Sequence, residues 1–234
     1  MKRISRYLPL LSLIPFCVPF AYGQAAIDLG VGFGGAWDSA GTKGVDLASS
    51  TGFCTAPYPT DITCQQTSKL SAFMLGFSGD VMIKPKLGFG IDYAITPARE
   101  TYAPLNGATS AYATSTEYPI QARQSFYDFN AVFRPIQAKR AALNLEGGIG
   151  ASRTSLSVTQ TGCVGAACSS QTSPVGSVNH FQVHIGVGAE IFVTDHFFVR
   201  PQFDIHIASG LTDTWGSNFV PVAMVTVGWN LGSH

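Results

Sequence analysis

Apolar and polar residues alternate along most of His180–Ile207. From Phe181 the odd positions read Phe, Val, Ile, Val, Ala, Ile, Val and, after a short break, Phe, Val, Pro, Phe, Ile, Ile. The even positions carry His180, Gln182, His184, Gly186, Gly188 and Glu190, then Phe198, Arg200, Gln202, Asp204 and His206. A period of two on both sides of the polar turn Thr194-Asp195-His196 predicts a β-hairpin with one apolar and one polar face. A soluble sheet turns such an apolar face onto a core. A transmembrane barrel turns it onto lipid and keeps the polar face inside.

The same pattern recurs along the chain and predicts eight strands. The first is Ala26–Asp38, followed by a long polar stretch. The second, Leu70–Ile83, and the third, from Leu87 to about Ala98, flank the tight turn Lys84-Pro85-Lys86. A second long stretch, rich in Thr, Ala, Ser and Tyr, leads to the fourth strand, Arg123–Ile136. The turn Gln137-Ala138-Lys139 joins it to the fifth, which runs from Arg140 to about Ser155. A third long stretch, to Asn179, precedes the hairpin, which supplies the sixth and seventh strands. A fourth loop, Ser209–Ser217, leads to the eighth strand, Asn218–Leu231.

Two regularities favour lipid. Long and short connections alternate without exception, as in outer-membrane barrels with long extracellular loops and short periplasmic turns. The apolar face also falls on odd numbers in every strand, as one continuous in-register sheet requires. A slip of one residue would turn Asp80, Asp92, Asp128, Arg134, Glu146, Glu190, Arg200 and Asp204 toward lipid. A basic residue at mid-bilayer costs about 2–4 kcal/mol and an acid somewhat less. The sum exceeds the roughly 5–15 kcal/mol stability of a typical domain. Arg153 breaks the rule. It stands about 12 residues beyond its turn, and a tilted strand climbs roughly 2.5 Å per residue, which lifts it above the apolar band.

Composition agrees. Only 12% of the 234 residues are charged and the net charge is zero, which gives no case for nucleic-acid binding. The N-terminus reads as a secretory signal peptide: Lys2, Arg3 and Arg6, the apolar run Leu8–Phe20, then Ala21-Tyr22-Gly23 before a cleavage point at Gln24. Residues 1–23 are thus the leader and 24–234 one barrel domain. Export leaves Cys54, Cys64, Cys163 and Cys168, an even set that suggests two disulfides. Proximity favours Cys54–Cys64 and Cys163–Cys168, and the other pairings stay open.

This pattern resembles the small OmpA/OmpX-type outer-membrane β-barrels, over nearly the whole mature chain. Thr226-Val227-Gly228-Trp229-Asn230-Leu231 is similar to the C-terminal insertion signal of such barrels, although Gly232-Ser233-His234 follows where the family usually ends on an aromatic residue. The resemblance implies an all-β, eight-stranded, antiparallel up-and-down barrel in the bacterial outer membrane, with both mature termini periplasmic. It further implies contact with outer-membrane lipid and lipopolysaccharide, and with the barrel-assembly machinery during insertion. It implies no single activity, because fold does not fix function.

The lumen of such a barrel is just wide enough for side chains to fill it. Asp80, Asp92, Asp128, Arg134, Glu146, Glu190, Arg200 and Asp204 then form an interior charge network, with Glu190 facing Arg200 and Arg134 in reach of Asp92 or Glu146. His180, His184 and His206 form a candidate interior cluster, read as hydrogen-bonded lining because the spacing matches no metal motif. Ser209 has the wrong parity to serve His206 as a nucleophile. No catalytic residue, metal or cofactor is therefore expected. Tyr58, Tyr102, Tyr112 and Tyr118 among Ser, Thr and Gly suit loop contacts with an extracellular protein or glycan. The leading reading is a structural or surface-interaction role. The alternative is a small cation-preferring pore, and a lipid-modifying enzyme ranks below both.

Overall fold

The computed structural model describes residues 26–38, 63–64, 72–103, 105–106, 120–164 and 167–232. The leader, Cys54, Tyr58, Tyr112 and Tyr118 lie outside them, and only the backbone of Cys64, Tyr102, Cys163 and Cys168 falls within. The barrel strands are β1 (Ala26–Ala36), β2 (Ala72–Lys84), β3 (Leu87–Ile95), β4 (Ile120–Ala138), β5 (Ala141–Val164), β6 (Ala167–Phe192), β7 (Phe197–Ala208) and β8 (Phe219–Leu231). Each pairs antiparallel with its neighbour in sequence, and β8 returns to pair with β1, so the sheet closes into an eight-stranded barrel. Among the described residues no helix is long and apolar enough to cross a membrane.

The pleat puts odd residues outside and even residues inside, up to the bulge between Phe133 and Ile136, past which Ile136 faces out. Phe33, Phe77, Phe89, Phe129, Ile149, Ile185, Phe203 and Trp229 are exposed, Phe129 by 65%. Asp28, Asp80, Arg134, Glu190 and Arg200 are buried, each 1% exposed or less. A water-soluble monomer rarely shows a contiguous apolar belt on that scale. The inversion is that of a protein whose outer solvent is hydrocarbon.

Glycine permits the closest approach between two strands. A Cβ on Gly150 would run into the Tyr127 carbonyl oxygen and Asp128 Oδ1. Gly148 meets the Phe129 carbonyl in the same way, so these inward positions of β5 admit no side chain.

Two stretches read as loops are ordered differently. The third long connection is mostly strand. β5 and β6 stay paired from Ala141↔Ile191 through Thr159↔Thr172 to Val164↔Ala167, as a ribbon that outruns the neighbouring strands. Its Ser, Thr and Gln residues suit a sheet with water on both faces, so it lacks the apolar alternation used to find membrane strands. The fourth connection turns through a 3-10 segment, Leu211–Asp213, entered by Gly210 at φ 76°. It buries Leu211 and Trp215 completely. It is a plug and not a polar surface loop.

Candidate functional site

Among the described residues, polar side chains converge in the barrel interior. At the turn-side end the rings of Phe192 and Phe198 meet edge to face, 6.0 Å apart, beside buried Met82, Val132 and Ala142. Apolar packing closes this end.

Above it lies a charged layer. Arg134 donates from Nε to Asn144 Oδ1 at 3.0 Å and from Nη2 to Glu190 Oε1 at 2.9 Å and to Asp28 Oδ2. Asp28 also accepts from Asn230 Nδ2, and Glu190 from Asn144 Nδ2 at 2.8 Å. Arg200 donates from Nη1 to Asp80 Oδ2 at 2.6 Å and from Nη2 to Ser78 Oγ at 2.8 Å. The same Nη1 lies 3.5 Å from both Glu190 Oε1 and Glu146 Oε1. Glu190 therefore bridges two guanidiniums. Arg134 does not pair with Asp92 or Glu146. Its long side chain crosses the lumen to β1 and β6, because a barrel wall curves and brings non-adjacent strands within reach.

Asp28, Asp80 and Glu190 each offer an oxygen within 4.8 Å of the other two, a set of hard donors. Arg134 and Arg200 already stand among these oxygens. The arrangement is that of an ion-pair network, in which Asp80 Oδ1, Glu190 Oε2 and Arg200 Nε are buried with no hydrogen-bond partner among the described residues.

The next layer holds the imidazoles. His184 and His206 are cross-strand partners whose rings stack at 4.8 Å, and Phe126 stacks on His206 at 4.3 Å. His184 Nδ1 lies 3.0 Å from Asn130 Oδ1, and its Nε2 lies 3.1 Å from Asp204 Oδ1. Asn130 in turn donates to Asp92. His206 Nδ1 lies 3.2 Å from Gln182 Nε2 and 3.4 Å from Asp128 Oδ2. Gln182 donates to Asp128 Oδ1 at 2.7 Å. Gln202 donates to Asp204 at 2.9 Å and to Glu146 at 3.2 Å. Among these groups lies a cavity of about 30 Å³, lined by Asp92, Asp128, His184, Asp204 and His206. That is room for about one or two waters. His180 stands apart, with Nδ1 3.1 Å from the Ser209 carbonyl oxygen.

The loop-side end is closed by Trp215. Its Nε1 donates to Gln124 Oε1 at 3.1 Å and to Thr154 Oγ1 at 3.3 Å, and Gln124 donates to Ser152 Oγ at 2.9 Å. Leu211, Phe126, Met74, Val220 and Val222 are buried on this side. Sequence reasoning missed this element, and it missed the amides Gln124, Asn130, Asn144 and Asn230, while placing Gln182 on the polar face with no role. Their even numbering was the available signal. A neutral amide carries no charge to mark it in the sequence.

What the arrangement can do chemically is limited. Imidazole nitrogens face carboxylates and amides, which fixes the rings. A continuous wet path would have to pass both the Phe192–Phe198 floor and the Trp215 plug.

No family model and no curated protein matches the chain. Solved structures with a similar course do exist. The attachment invasion locus protein Ail of Yersinia pestis aligns over 89% of this chain and 100% of its own, at 11% identity and a TM-score of 0.49. The N-terminal β-barrel domain of Pseudomonas aeruginosa OprF aligns over 89% and 99%, at 12% identity and a TM-score of 0.40. The outer membrane protein OprG of the same organism aligns over 89% and 96%, at 11% identity and a TM-score of 0.42.

Proposed function

We propose that the chain is a bacterial outer-membrane barrel, exported by its leader, whose filled lumen serves as a rigid anchor for a surface-interaction ribbon. One observation carries this reading: packing closes the lumen at both ends, by Phe192 and Phe198 on the turn side and by Leu211 and Trp215 on the loop side. The apolar outer belt supports residence in a membrane. The fixed alternation of short turns and long connections supports loops on the outside and termini in the periplasm.

The part that projects is the β5–β6 ribbon. Past the bond from Ser209 N–H to the Phe181 carbonyl, residues 171–179 of β6 pair only with β5 among the described residues, so this part of the ribbon offers a polar edge. Such an edge suits an extracellular protein that adds a strand, with main-chain hydrogen bonds giving affinity.

Planar-bilayer conductance of the inserted protein tests the proposal. The expected result is an electrically silent bilayer. Stable cation-selective steps that change in Asp128→Asn or Asp204→Asn would overturn it in favour of the small pore, the reading that the acid-lined cavity favours.

A further inference from the structure

Arg153 is the basic residue that breaks the lipid-face alternation, and it does not stand alone. Ser125 of β4 pairs with Arg153 of β5, which pairs with Asn179 of β6. In the next row toward the loops, Arg123 pairs with Ser155, which pairs with Ser177. These residues share the outward parity, so two guanidiniums, the Ser155 and Ser177 hydroxyls and the Asn179 amide form one patch on the outer wall, with Ser125 buried beside them. Arg153, Ser177 and Asn179 are exposed.

The row beneath is interfacial in character. Tyr93 and Tyr127 are partners with ring centroids 4.9 Å apart, and Tyr127 pairs with Ala151. Below them the same strands carry Ile91, Phe129 and Ile149, all exposed to hydrocarbon. Tyrosine marks the level where apolar chains give way to headgroups. The two arginines sit one and two rows above it.

Their surroundings differ from those of the interior arginines. Arg134 and Arg200 inside the barrel are surrounded by carboxylates. Among the described residues Arg123 and Arg153 form no ion pair. Arg153 Nη2 donates to Ser177 Oγ at 3.2 Å and Arg123 Nη2 to the Pro97 carbonyl oxygen at 2.9 Å. Arg123 Nε is buried with no hydrogen-bond partner among the described residues. Elsewhere on the outer wall the loop-side strand ends carry exposed aromatics, Trp37, Phe73, Phe181 and Phe219.

We propose that Arg123 and Arg153 bind a phosphate of a phosphorylated glycolipid in the surrounding outer leaflet. A guanidinium matches phosphate geometry in a bidentate manner, and the Ser155, Ser177 and Asn179 side chains suit sugar hydroxyls. The height of the patch selects a lipid over a dissolved anion. Acyl chains running down the Phe129–Ile149 wall bring their headgroup to the level of these arginines. The inference rests on the outer-membrane reading above.

The test uses protein extracted from the membranes of expressing cells and reconstituted into phosphatidylcholine vesicles. The vesicles carry either lipopolysaccharide or its enzymatically dephosphorylated form, and the glycolipid retained on captured protein is measured. The native chain should retain the phosphorylated form about tenfold better than the Arg123→Ala/Arg153→Ala double variant. It should retain the dephosphorylated form no better than that variant does, and Arg123→Lys/Arg153→Lys should recover part of the preference. Equal retention by native and double-alanine chains, both inserted and heat-modifiable on gels, would overturn the inference and leave the barrel reading standing. Failure of the native chain to insert into either vesicle would overturn both.

Discussion

Trp215 of the fourth connection donates its indole N–H to Gln124 of β4 at 3.1 Å, across 91 residues of chain. This bond pins a segment that sequence reads as a loop into the barrel mouth. Gln124 is itself held by Ser152 and Thr154, so the plug rests on a set of satisfied polar groups.

Trp215→Ala should therefore cost about 3–5 kcal/mol, the usual range for emptying a buried aromatic site. Trp215→Phe keeps most of the packing and loses only the hydrogen bonds, so its cost should be about 1–2 kcal/mol. Urea unfolding in lipid vesicles, followed by tryptophan fluorescence or gel mobility, separates these outcomes. Equal costs would mean that the indole nitrogen carries the effect.

Arg134 is 1% exposed and compensates Asp28 and Glu190 together. Arg134→Leu leaves Asp28 buried without a cation and Glu190 with Arg200 alone, and should destabilise by about 3–5 kcal/mol. Lys139→Ala, in the exposed neighbouring turn, should stay within about 0.5 kcal/mol. The temperature at which the folded gel band disappears ranks the two variants.

The lipid face should tolerate arginine by depth. Phe129→Arg places a charge in mid-wall and should cost about 2–4 kcal/mol, whereas Arg153→Leu at the rim should change stability by less than about 1 kcal/mol. Vesicle unfolding midpoints check the order. A larger penalty at residue 153 would contradict the height assigned to the glycolipid patch.

Gly150→Ala should be poorly accepted, because its Cβ meets the Tyr127 carbonyl oxygen and Asp128. A cost of about 1–3 kcal/mol is expected from overpacking. Gly176, on the ribbon, leaves open space around an added methyl, with nothing within 4 Å, and Gly176→Ala should fold like the native chain. Refolding yields of the two variants, read by heat-modifiability, make the comparison.

Cys163 and Cys168 are backbone partners at the tip of the ribbon. We expect them to be joined in the exported protein. A thiol reagent should then label neither before reduction, and peptide mass mapping should find both in one cross-linked fragment. Labelling without reduction would exclude the pairing.

The alternation of residues by itself determined which groups face lipid and which face the lumen. Val31, Phe89, Phe129 and Ile149 could face only outward, and Asp80, Glu146 and Arg200 only inward, because a period of two is a local property and bilayer energetics penalise a slip at every strand. It determined the strand number and the three tight turns on the same grounds. The tertiary structure decided which inward groups meet. Arg134 and Asp28 are 106 residues apart in sequence, and only the curvature of the closed barrel aims one at the other across the lumen. The structure also decided what lies beyond the membrane. The β5–β6 ribbon and the Trp215 plug answer to water and to packing, which impose no lipid-facing alternation on the residues that form them.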